Sequence, residues 1–95
     1  MTHDSDLERV RIVISGRVQG VFFRRMATEQ AQRHDLTGWV RNLEDGSVEI
    51  VAEGHRRDLD LLLRWAHRGP AHARVDRVEE EWGSYRGEFV RFEIR

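Results

Sequence analysis

The stretch V-R-I-V-I-S-G-R-V-Q-G-V-F-F-R-R, Val10 to Arg25, decides how this chain reads. Val10, Ile12 and Ile14 alternate with Arg11, Val13 and Ser15, the period-two pattern of a strand with one buried face. Gly16 and Gly20, four apart, interrupt that pattern. Beyond them Phe22, Met26, Ala27, Gln30 and Ala31 recur at helical spacing, which predicts a helix that fades near His34. A strand therefore passes through a glycine loop into a helix, and Arg24 and Arg25 stand where the helix begins. Bare backbone N–H groups, a helix N-terminus and two guanidinium groups meet in one short loop. That combination suits an oxyanion, phosphate above all.

The pattern continues outward from this loop. Thr37 to Asn42 reads as a second strand, and Leu43 to Gly46 ends in Asp-Gly, a tight-turn signal. Val48, Ile50 and Ala52 alternate in the strand that follows, until Gly54 breaks it. Leu59, Leu62, Leu63 and Ala66 mark a second helix, stopped by Gly69-Pro70. Val75 to Trp82 and Phe89 to Ile94 complete the chain as two more strands, with Val90, Phe92 and Ile94 expected on one face. The order β-α-β-β-α-β, with a short last strand, fits an α+β fold. Its antiparallel sheet would carry both helices on one face, the split β-α-β arrangement.

At 95 residues the chain is long enough for one core, expected over residues 9–95 behind a flexible tail of residues 1–8. Although 35% of residues are charged, the net charge is only -1, which excludes a polyanion binder. The charge is unevenly spread, however. Arg9 to Thr28 contains no acid yet holds Arg9, Arg11, Arg17, Arg24 and Arg25, a local excess that points to a small anion rather than nucleic acid. Without cysteine there are no disulfides, zinc-thiolate sites or thiol nucleophiles. Without lysine there is no Walker-type phosphate loop and no Schiff base. Met1 to Glu8 is polar and acidic, unlike a signal peptide, and no segment has the length of a membrane span, so a cytoplasmic location is expected. His67 and His72 are separated by Gly69-Pro70, which is not a ligand spacing on one helical face; no metal site is expected.

Two arginines in the first turn of a helix oppose the helix dipole by roughly 0.3–1 kcal/mol each. A bound dianion would reverse that penalty, and broken local rules tend to mark functional sites. Two arginines can also merely solvate a helix end, and a lone G-x-x-x-G also makes ordinary turns. Asn42, before a hairpin turn, is likewise a common turn residue. By alternation it shares a face with Val40.

Two longer motifs add to this reading. G-R-V-Q-G-V-F-F-R, Gly16 to Arg24, resembles the first signature of the acylphosphatase family. G-W-V-R-N-L-E-D-G-S-V-E-I-V-A-E-G, Gly38 to Gly54, resembles its second, in the right order and separation, and the similarity runs from Arg9 to Arg95. The resemblance implies a ferredoxin-like fold and a small cytosolic hydrolase that cleaves acyl phosphates to a carboxylate and inorganic phosphate, without metal or cofactor. By motif position it makes Arg24 and Asn42 the catalytic pair. The phosphate-binding loop is then Arg17, Val18, Gln19, Gly20, Val21, Phe22 and Phe23. Phe22 and Phe23 are expected as core and loop anchors, while Arg25 carries over no role.

Rival readings are of other classes. The same element order serves RNA-binding modules, but their strand aromatics are absent from Ser47 to Glu53, which instead carries Glu49 and Glu53. A phosphate- or carbamoyl-phosphate-binding module of a larger maturation protein is a nearer rival. A chain with both proposed catalytic residues favours the enzyme, acting as a monomer on a small-molecule acyl phosphate, with no nucleic-acid or membrane partner.

Overall fold

The computed structural model describes residues 6–95, and the alternation around Ile12 lies in its first strand. The elements are β1 (Leu7–Arg17), α1 (Phe23–Arg33), β2 (Thr37–Asn42), β3 (Val48–His55), α2 (Arg56–Arg68), β4 (Arg74–Ser84) and β5 (Phe92–Ile94). They form one sheet in the order β4-β1-β3-β2-β5. Leu7 and Glu8, expected in the tail, instead pair with His55 and Gly54 and extend β1. Residues 1–5 of that expected tail lie outside the described residues.

The alternating residues do what their period requires. Val10, Ile12 and Ile14 of β1 and Val48, Ile50 and Ala52 of β3 are fully buried on one face. Ala27 and Ala31 of α1 and Leu59, Leu62 and Ala66 of α2 close over that face in a single core. Phe23 and Trp65 join the two helices, ring centroids 5.1 Å apart. Helix α2 stops at Gly69, whose φ of +70° is left-handed and whose N–H donates to the Trp65 carbonyl at 2.7 Å.

In one respect the sheet differs from the wholly antiparallel expectation: β5 runs parallel to β2. The end of β4 lies at one edge, and residues 85–91 carry the chain across to the other. Glu53, a carboxylate 1% exposed, holds that crossing. It accepts hydrogen bonds from the Arg86 N–H at 2.8 Å and the Gly87 N–H at 3.1 Å, and it pairs with Arg9 at 3.1 Å. The Gly38 N–H then donates to the Arg91 carbonyl and receives the returning chain. The last strand is therefore only Phe92–Ile94, not Phe89 to Ile94, and Val90 is 90% exposed rather than aligned with buried Phe92. A crossing segment obeys the hydrogen bonds it must make, not a two-residue period.

On the same outer face Glu49 sits between Arg11 and Arg41, each guanidinium 2.6 Å from one of its oxygens. Burial pushes its pKa up, but the two arginines outweigh that and hold it below the ordinary glutamate value. The acids that stand where an RNA-binding sheet would place aromatics are committed to internal ion pairs.

Candidate active site

The loop between β1 and α1 is built by two glycines with different tasks. Gly16 lies at a β-bulge in the β1–β4 pairing, where a Cβ would come within 2.2 Å of the Arg74 carbonyl oxygen. It serves close approach of two strands. Gly20 faces open space but adopts φ +74°. It serves the loop's curvature and leaves the loop's inner surface bare.

Phe22 sharpens that curvature. It occupies the N-cap position of α1 with φ +64° and ψ +22°, and it provides no side-chain cap. A left-handed phenylalanine costs of order 1–3 kcal/mol and persists only where its surroundings impose it. Its neighbour imposes it: Phe23 is 2% exposed, wedged against Trp65, and fixes the start of the helix. Of the two rings expected as anchors, only Phe23 is one. Phe22 is turned outward and 71% exposed.

Helix geometry leaves the N–H groups of Phe23, Arg24 and Arg25 without an intrahelical acceptor, since Met26 is the donor to the Phe22 carbonyl at 3.0 Å. Among the described residues, no turn, loop or cap hydrogen bond between backbone groups uses an N–H of residues 18–22. The first turn of α1 contains no acid. Positive partial charge therefore accumulates there without internal compensation.

The two adjacent arginines are not equivalent. Arg25 lies 3.8 Å from Glu29, one helical turn away. Among the described residues, the Arg24 guanidinium makes no ion pair, and it lines a cavity of about 330 Å³ with Val18, Gly20, Phe22, Phe23, Arg25, Asn42 and Ile94.

Asn42 reaches this cavity from the end of β2. It ends β2 on the face of Gly38 and Val40, both buried, so alternation aims it toward the helix layer. The turn does not employ it. Leu43 and Ser47 close the hairpin through an N–H to carbonyl bond of 2.9 Å, and the Asp45 carboxylate accepts the Ser47 N–H at 2.9 Å. The Ser47 hydroxyl and N–H hold the Asp45 carboxyl below its ordinary pKa. Asn42 is thus relieved of turn duty, and among the described residues its side-chain amide makes no hydrogen bond.

Gln19 couples loop and hairpin. Its amide nitrogen donates to the Leu43 carbonyl at 2.8 Å and to the Ser47 carbonyl at 2.9 Å. The loop that presents Arg24 and the strand end that presents Asn42 are tied by one side chain. Of the expected loop residues, Val18, Gly20, Phe22 and Phe23 line the cavity; Arg17, Gln19 and Val21 do not. Arg17 closes β1 opposite Arg74, and Gln19 is the clamp. Ile94 is the lining residue that local sequence offers no means of finding. It enters because β5 pairs with β2, placing Ile94 opposite Val40.

Among the described residues, no three His, Asp or Glu side chains are grouped to hold a metal ion. No helix among them is long and apolar enough to cross a membrane.

The family model described as Acylphosphatase matches residues 10–94. An acylphosphatase of Anaeromyxobacter dehalogenans (strain 2CP-C) is 53% identical over 96% of this chain and 98% of its own. The structure of an acylphosphatase from Coxiella burnetii is 38% identical and superposes with a TM-score of 0.92, all of each chain being covered. That of an acylphosphatase from Bacillus subtilis is 35% identical with a TM-score of 0.89, covering 94% of this chain and 98% of that one.

Proposed function

The chain belongs to the acylphosphatase family, and from that premise we propose how its residues hydrolyse an acyl phosphate to a carboxylate and inorganic phosphate. The observation that carries the mechanism is the meeting in one cavity of the glycine loop with an Arg24 guanidinium that makes no ion pair and an Asn42 side-chain amide that makes no hydrogen bond among the described residues. The N–H groups from Val18 to Phe23 hold phosphoryl oxygens at the positive end of α1. The planar Arg24 fork spans others, a geometry that a lysine cannot reproduce. The carbonyl oxygen of Asn42 accepts a hydrogen bond from a water and aims its lone pair at phosphorus.

The water oxygen forms the new P–O bond as the bond from phosphorus to the carboxylate oxygen breaks. The electron pair departs on the carboxylate, and the water's proton passes to a phosphoryl oxygen. A carboxylate is a good leaving group, so positioning and charge stabilisation supply most of the acceleration. Preorganised donors of this kind are commonly the largest catalytic contribution. The protein acts on a small-molecule acyl phosphate, as a cytoplasmic monomer without nucleic acid, metal or cofactor.

The test is hydrolysis of benzoyl phosphate, followed by loss of its ultraviolet absorbance, for the native protein and Asn42→Ala. The variant should lose roughly 10²–10³ in kcat while inorganic phosphate inhibits it about as well as before, because water positioning and phosphate binding rest on different residues. Equal kcat in the two proteins would remove Asn42 from the mechanism.

A further inference from the structure

Beyond Phe22 the active-site cavity has a neighbour. A second cavity, also about 330 Å³, shares only Phe22 and Arg25 with the first. Its other lining residues are Val21 of the loop, Met26 and Glu29 of α1, and Pro70, Ala71 and His72 from the connection after α2.

We propose that this second cavity is the acyl subsite, and that it selects acyl phosphates whose carboxylic half carries an apolar group of ring size. The inference rests on the mechanism above, because in-line displacement sends the leaving carboxylate away from the attacking water. Water is held by Asn42, which lines the first cavity alone. The departing half is therefore directed past Phe22 and Arg25, and the space beyond them is the second cavity.

Three features of its walls agree. Val21, Met26, Pro70 and Ala71 offer apolar surface beside the Phe22 ring, with Arg25, Glu29 and His72 as the polar lining residues. Phe22 is held by its left-handed backbone on the boundary, its ring 71% exposed and available for contact with a second ring. Arg25 stands on the same boundary, and its exposed 3.8 Å pairing with Glu29 leaves further guanidinium N–H groups to meet the carboxylate as charge develops there. A second carboxylate on the substrate would instead face Glu29.

Ala71 decides the matter experimentally, because it is exposed, lies in a turn and belongs only to the second cavity. Ala71→Trp should fill the subsite from its outer wall. KM for benzoyl phosphate should rise about tenfold, while kcat/KM for acetyl phosphate stays within about twofold, the range that pocket shape discriminates. Thermal melting of the variant and inhibition by inorganic phosphate should both match the native protein. Unchanged KM for benzoyl phosphate, or equal losses for both substrates, would overturn the acyl subsite while leaving the hydrolase intact. Absence of turnover on either substrate by the native protein would overturn the mechanism and the subsite with it.

Discussion

Replacing Arg24 should raise stability and abolish activity at once. Arg24 is the second residue of α1, in a first turn without acids, and among the described residues it makes no ion pair. Its charge therefore opposes the helix dipole, a penalty of about 0.3–1 kcal/mol. Relieving it in Arg24→Ala should raise the melting temperature by about 1–8 °C, taking about 4–8 °C per kcal/mol for a domain of this length. The gain should shrink at high salt, where the dipole interaction is screened. Removal of a positioned donor costs roughly 3–4 kcal/mol of transition-state stabilisation, so kcat/KM for benzoyl phosphate should fall by at least roughly 10²–10³.

The assays are thermal melts by circular dichroism, at low and high salt, beside initial rates on purified folded protein. Inorganic phosphate supplies a third readout. At a hundred times its dissociation constant it should stabilise the native protein by about 2.7 kcal/mol, and Arg24→Ala far less. Arg24→Lys separates charge from shape. It should melt like the native protein yet lose most activity, because an ammonium is a point charge without a planar fork. An Arg24→Ala protein that melts well below the native one would make Arg24 a structural residue. Near-native turnover by Arg24→Lys would refute the fork argument.

Gln19→Ala removes both hydrogen bonds from the loop to the Leu43 and Ser47 carbonyls. It should cost about 1–2 kcal/mol in denaturant melts and lower kcat, since Asn42 loses its register with Arg24. A stability loss with native kcat would show that the clamp does not set the site. Glu49→Gln should cost about 1.5–3 kcal/mol at neutral pH by weakening the pairs with Arg11 and Arg41. Glu49 is depressed in the folded state, so its contribution is fully present above the unfolded pKa and disappears as pH falls through the folded one. Stability curves of variant and native protein should therefore converge in the acidic range. A gap that stays constant down to the lowest pH would contradict the assignment.

Much of the fold was legible because its signals are local. The strand at Thr37–Asn42 and the stop of α2 at Gly69 were readable to the residue, since period, turn chemistry and C-cap geometry act within a few positions. Asn42's shared face with Val40 followed from the two-residue pleat. Phe22 and Phe23 look alike in sequence, yet one is core and the other surface. The difference is a single left-handed residue at the head of α1, which no periodicity announces.

The sequence by itself determined the order of elements and the acid-free arginine loop, and it carries two motifs whose resemblance to a family implies a pairing of Arg24 with Asn42. The first two depend on covalent neighbours and on residue chemistry. Only the tertiary structure decided that Gly16 serves strand contact while Gly20 serves the loop, that Gln19 clamps rather than lines, and that Arg25 faces a second cavity. It also turned the last strand parallel to β2, which brings Ile94 to the site, and hid Glu49 and Glu53 beneath arginines and backbone donors. These depend on contacts between residues far apart in the chain, whose partners are chosen by packing and by buried polar groups that must find hydrogen bonds.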